Sequence, residues 1–227
     1  MPEQTLHVLR VFTDETGDGG NLLGVFLDGQ AVPADRRQQI AAELGFSETV
    51  YVDDAATGQL RIFTPANELQ LAGHPLVGTA WLLAHVGTAV DVLRPPAGDV
   101  PTWVDGDKVW IRARPELGPP WQFVELPDPR AVAALRAAME PEHVHTSYWA
   151  WVDEDGGIIR CRVFAAASGI HEDEATGSAA LQLTARLGRE IEIWQGNGSI
   201  LRARPCPGGK AEVGGRVVLD ETRYHPI

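Results

Sequence analysis

The sequence predicts an α+β chain built from two similar halves, and three observations carry that prediction. Short runs in which apolar and polar residues alternate, the signature of half-buried strands, recur along the whole chain. Two helical stretches, 75–86 and 178–187, carry few charges, and the first is apolar on nearly every side, so both are expected to be enclosed by other elements. The approach to each is alike. Ala72-Gly73-His74-Pro75 begins eleven residues after Arg61 of Arg61-Ile62-Phe63, and Ala175-Thr176-Gly177-Ser178 begins thirteen after Arg162 of Arg162-Val163-Phe164.

Taken in order, Leu6 to Phe12 alternates as a strand, and the turn Gly17-Asp18-Gly19-Gly20-Asn21 leads into a second strand over 22–27. Pro33 to Leu44 reads as a helix, because proline suits a first turn and Ile40, Ala41 and Leu44 share a face. Gly45 can take the left-handed conformation that ends it. Strands follow at 49–52 and 60–63. The first enclosed helix opens on Pro75 and stops at Gly87. After it come a short β run over 90–93, a glycine-containing break, a strand, a turn holding Lys108 and another strand. Leu117-Gly118-Pro119-Pro120 is the best linker, which divides the chain near residue 115 into halves 1–114 and 115–227. Asp128-Pro129 caps a small helix over 131–139. Strands at 148–152 and 158–164 then lead to the second enclosed helix, closed by Gly188. A β run over 191–194, a break, a strand, a turn with Lys210 and a last strand repeat the first half.

Composition narrows the function. The chain has 227 residues, enough for a sizeable core without metal or disulfide staples, and its formal charge of −12 is spread over both halves with no basic cluster. Phosphate-backbone affinity comes from clustered Lys and Arg, so nucleic acid and anionic membrane are not expected partners. Lys108 and Lys210 both adjoin turns, a poor setting for a desolvated Schiff-base amine. Cys161 and Cys206 are isolated, as expected of reduced thiols. With no secretory pattern at the first residues and no run near 18 apolar residues, a soluble cytoplasmic protein is expected.

Chemistry is expected where the enclosed helices begin. A helix N-terminus presents unpaired N–H groups that favour an anion, and two halves packed face to face would aim two such ends at one cleft. Gly73 and Gly177 fit that role, and equally fit plain tight turns. His74, just before the helix, is expected to have a lowered pKa from the positive helix end. In His171-Glu172-Asp173-Glu174 the carboxylates raise one another's pKa while the helix end lowers them; a solvated capping loop is the bland alternative. Glu48 lies between a helix stop and a β run, a position that composition alone does not single out.

Together, Gly45-Phe46-Ser47-Glu48-Thr49, Arg61-Ile62-Phe63-Thr64-Pro65-Ala66-Asn67-Glu68-Leu69, Ala72-Gly73-His74-Pro75-Leu76-Val77-Gly78-Thr79-Ala80 and Glu172-Asp173-Glu174-Ala175-Thr176-Gly177-Ser178-Ala179-Ala180 closely resemble the PhzF-like phenazine-biosynthesis family. The resemblance covers both halves. It implies the diaminopimelate-epimerase-like fold: two pseudo-symmetric halves, each a barrel-like, mostly antiparallel sheet around a central helix, with the site between. It implies a cofactor-independent isomerase that moves a proton on trans-2,3-dihydro-3-hydroxyanthranilate or a similar small cyclic or amino-acid-like carboxylate, with no metal, in a homodimer. Glu48 matches the general acid/base, His74 and Asp173 its polar partners, and Gly73, Gly177 and Ser178 the residues that hold the substrate. Related epimerases place two cysteines at the helix entries; those places here are Ala72 and Ala175, which argues against a two-thiol racemase.

The chain departs from the family pattern at Leu22 and Glu174, each standing where proline is usual, and in a short second half. Glu174 is expected to raise the Asp173 pKa by like-charge repulsion. Two other classes compete. One is a non-catalytic carboxylate-binding member of the same fold. The other is a metal-dependent hydrolase resting on His143 and His145 of Glu142-His143-Val144-His145, a pair without an obvious third ligand. A nucleotide fold built on Gly17-Asp18-Gly19-Gly20 fails on spacing. The seven tryptophans are expected to serve packing.

Overall fold

The computed structural model describes residues 2–136, 145–165 and 170–227. It opens with β1 (Glu3–Thr13) and β2 (Gly19–Phe26), antiparallel and joined by the glycine-rich turn. Helix α1 (Ala34–Leu44) ends at Gly45, whose φ of 68° is the left-handed conformation its position requires. The chain returns as β3 (Glu48–Asp54), parallel to β2, and continues antiparallel through β4 (Gln59–Phe63) and β5 (Glu68–Leu69). Helix α2 (Gly73–His85) follows, then β6 (Val92–Leu93), β7 (Val100–Asp105) and β8 (Lys108–Ala113).

A turn at Pro115–Leu117 leads to β9 (Gln122–Glu125) and α3 (Pro129–Ala133). Next come β10 (Thr146–Asp153), parallel to β9, then β11 (Ile158–Ala165) and β12 (Ile170–Asp173). Helix α4 (Gly177–Leu187) precedes β13 (Ile191–Gln195), β14 (Ser199–Cys206) and β15 (Lys210–Pro226). From β2 and from β9 onward the same order occurs twice: strand, helix, parallel strand, hairpin, short strand, buried helix, three strands. This is the duplicated α+β architecture expected from the sequence.

Helix α2 is buried along its first eight residues and packs against β1, β2, β3, β7, β8 and β15, so it sits inside a wrap of strands. Its Leu76, Val77 and Leu82 share one core with Ala179, Leu181 and Leu183 of α4. A smaller cluster joins Ile40 of α1 to Phe26 of β2 and Tyr51 of β3.

The sheets of the two halves are joined. Strand β15 pairs first with β14 and β8, then with β1. The exchange of partners falls at Gly214 and Gly215. A side chain on Gly214 would strike the Trp110 indole, and one on Gly215 the ring of Phe12, 2.6 Å from the Cβ site. Phe12 itself holds a φ of 70° while wholly buried, a costly conformation for a bulky residue that the surrounding packing must impose.

Two sequence expectations change. The helix expected over 131–139 is instead the five-residue α3, capped by Asp128, whose Oδ1 accepts from the Ala131 N–H at 2.9 Å. Arg162 takes the Leu135 carbonyl at 2.6 Å just beyond its end, while Met139 lies outside the described residues. The β run expected over 90–93 shortens to β6. Among the described residues no helix is long and apolar enough to cross a membrane.

Candidate active site

The two enclosed helices meet at their N-termini. A Cβ on Gly73 would stand 2.8 Å from the Gly177 Cα, and a Cβ on Gly177 would stand 2.8 Å from the Gly73 Cα. Backbone against backbone leaves no room for any side chain, so both glycines are required by close approach. Around this contact the residues singled out in the sequence converge.

Glu48 is the first residue of β3, placed there by the left-handed stop at Gly45. His74, second residue of α2, is buried, and its Nδ1 lies 3.0 Å from Glu48 Oε2. The expectation of a lowered His74 pKa is overturned. Burial pulls it down, but the Glu48 carboxylate, with help from Asp173 and the Leu22 carbonyl, outweighs burial and raises it. The two carboxylates thus ease the charging of an imidazole that burial alone would keep neutral.

Asp173 ends β12 and comes from the other half. Burial, then the charge of Glu48, pushes its carboxyl up to about 6, while Thr176, His74 and Asn21 pull it back. Glu174, expected to be the cause, is not: its Oε1 accepts from the Asn197 N–H at 2.6 Å and Ser199 Oγ at 2.8 Å. Glu172 likewise turns away to Arg162, at 2.7 Å. Of the acidic run only Asp173 enters the site.

A network that sequence reasoning missed holds Asp173. Asn21 donates to its Oδ1 at 2.6 Å and accepts from Ser47 Oγ at 3.0 Å, linking the two halves beside Glu48. Thr176 donates to Oδ2 at 2.6 Å, which is why this helix N-cap residue makes no capping bond of its own. Gln195 clamps the loop, donating to the Asp173 carbonyl and Thr176 Oγ1, both at 2.8 Å, and accepting from the Thr176 N–H at 3.2 Å. The nearest sequence signal was Leu22, beside Asn21, standing where the family has proline.

A cleft of about 440 Å³ lies between the halves. Glu48, Asp173, Thr176 and Ser178 bring polar groups to it, and Leu71 and Ile170 supply apolar wall. His74 stands behind Glu48, and the two glycines lie in the backbone contact behind the wall. Trp121, expected to serve packing, lines the cleft with His145; their rings lie 4.9 Å apart. Of the proposed histidine metal pair only His145 is described, since 142–144 lie outside the described residues. Cys161 and Cys206 do not line the cleft, and burial pushes the Cys161 thiol up to about 12, which leaves it inert as a nucleophile.

The family model for phenazine biosynthesis-like proteins matches residues 9–114. The trans-2,3-dihydro-3-hydroxyanthranilate isomerase of Pseudomonas chlororaphis is 33% identical over 78% of this chain and 80% of its own length. The enzyme of the same name from Pseudomonas aeruginosa is 32% identical, again over 78% of this chain and 80% of its own. The chain belongs to the PhzF-like phenazine-biosynthesis family.

Solved structures agree on the fold. A PhzF-family protein of Enterococcus faecalis superposes with a TM-score of 0.79 at 19% identity, covering 100% of both chains. A hydroxyproline epimerase of Agrobacterium vitis does so with a TM-score of 0.64 at 13% identity, covering 98% of this chain and 92% of that one. Three curated relatives that match more than three quarters of this PhzF-like chain are named isomerases, as the sequence leads one to expect.

Proposed function

We propose that this PhzF-like protein isomerises a small cyclic carboxylate of the trans-2,3-dihydro-3-hydroxyanthranilate type by general acid/base proton transfer, with Glu48 moving the proton and neither metal nor organic cofactor taking part. The observation that carries the reading is the placement of Glu48 on the cleft, its Oε2 held 3.0 Å from the buried His74, with Asp173 lining the same cleft from the opposite half. The names of the two Pseudomonas relatives support the substrate type.

The chemistry asks little beyond these groups. An isomerisation of this kind removes a proton from one ring carbon and delivers one to another position of the same conjugated system, so the substrate keeps its atoms and the enzyme ends as it began. Glu48 as carboxylate accepts the first proton and as carboxylic acid returns it. The His74 imidazolium holds Glu48 in place and balances charge as the proton moves. Asp173 steadies that imidazolium from the other side. The starts of α2 and α4, where Ala72, Thr176 and Ser178 line the cleft and Gly73 and Gly177 let the two helix ends come together behind it, suit the substrate's carboxylate, because helix N-termini favour an anion where net protein charge would not.

The test is proton NMR of trans-2,3-dihydro-3-hydroxyanthranilate and related cyclic carboxylates in D₂O with wild type and Glu48→Gln. Wild type should isomerise one of them with deuterium uptake, and Glu48→Gln should lose at least about a hundredfold in rate while staying folded. Unchanged turnover in Glu48→Gln would remove it as the base. Binding without turnover in the wild type would favour a carboxylate-binding protein.

A further inference from the structure

We propose that Trp121 is a substrate-positioning residue, whose indole N–H fills one acceptor site of Ser178 Oγ and thereby aims the serine's own proton at a carboxylate in the cleft. This rests on reading the cleft as the substrate site. An indole nitrogen can only donate, so at 3.1 Å from Trp121 Nε1 the Ser178 oxygen is the acceptor. The hydroxyl proton must then point elsewhere. Ser178 is only 9% exposed, and no acceptor for that proton is found among the described residues. Asp173 is not its partner: the side-chain hydrogen bonds to that carboxyl come from Asn21 and Thr176. The side open to the hydroxyl is the cleft, which Ser178 lines. A buried donor without a partner is costly, and an incoming carboxylate removes that cost while gaining a charge-assisted bond.

The indole is fixed to the same helix face as the serine. Gln182 lies four residues after Ser178 on α4, and so on its side of the helix. Its Nε2 donates to the carbonyls of Pro115 and Pro119 at 3.1 and 2.8 Å, and its Oε1 accepts the main-chain N–H of Trp121 at 3.3 Å. Those carbonyls can only accept and that N–H can only donate, so the amide has one orientation. Gly118 completes the fit, since a Cβ there would stand 3.1 Å from Ser178 Cβ. The segment between the halves is therefore registered on α4, and with it the indole on the hydroxyl.

Calorimetry with 3-hydroxyanthranilate tests this. The probe carries the ring carboxylate of the named substrate type, but its ring is aromatic and has no such proton to give up, so it reads binding alone. Trp121→Phe keeps a ring on the wall and removes the N–H; it should weaken binding roughly three- to tenfold, as should Ser178→Ala. The double variant should be no weaker than the weaker single one, because both remove the same aimed proton. With a turnover substrate, KM should rise and kcat change less than about twofold. Trp121→Phe binding like wild type, or losses that add in the double variant, would overturn the proposal. Wild type failing to bind the probe would overturn the substrate reading and this proposal together, whereas full turnover by Glu48→Gln would overturn the proton-transfer reading and leave these affinities standing.

Discussion

Folding makes the Asp173 carboxyl harder to ionise, and that has a definite sign. Its pKa rises from 3.8 to about 6, so between those values the folded chain keeps a proton that the unfolded chain has released. Stability from this group is intact below about pH 4 and is lost as pH rises through about 6. His74, also raised, adds in the same direction, its share lost as pH rises through its folded pKa above 6.5. Asp173→Asn has no such titration. Thermal unfolding across pH 4 to 7 should therefore show the variant gaining on wild type as pH rises, by on the order of 1–3 kcal/mol in total; a difference independent of pH would contradict the assignment. Glu48, His74 and Asp173 were legible in the sequence because short motifs carry them in order. Thr176 and Gln195 were not legible as partners. An amide from β13 and a hydroxyl from the start of α4 meet only through folding, and no periodicity marks such a meeting.

At the level of elements, the contact between α2 and α4 admits only glycine. Gly73→Ala or Gly177→Ala would set a methyl 2.8 Å from backbone that cannot swing aside, forcing the helix starts apart. Each should cost roughly 1–3 kcal/mol in thermal unfolding, and the pair less than the sum, since the first displacement makes room for the second methyl. Turnover should fall further than stability, because Glu48–His74 and Asp173 are carried on opposite sides of that contact. Helix boundaries were legible here: Pro33 and Gly45 bracket α1, and Gly188 ends α4 with a φ of 67°. The extent of α3 was not, because Arg162, distant in sequence, takes the Leu135 carbonyl just beyond the helix end.

In the whole molecule, duplication could be read from repeated motifs, but the seam could not. A linker is visible as Gly118-Pro119-Pro120, yet β15 pairs with β8 and β1 of the first half as well as β14 of the second, through long-range pairings that leave no local trace. Leu76 of α2 and Leu181 of α4 also share one core. Calorimetric unfolding should accordingly give a single transition whose van't Hoff and calorimetric enthalpies agree within roughly 10%; two resolved transitions would show that the halves melt apart. The partner exchange at Gly214 and Gly215 also bears on ancestry. A doubled gene ordinarily leaves two copies free to diverge, shrink or be traded for other modules. Here the final strand of one copy completes the sheet of the other, so neither can be discarded or exchanged without orphaning its twin.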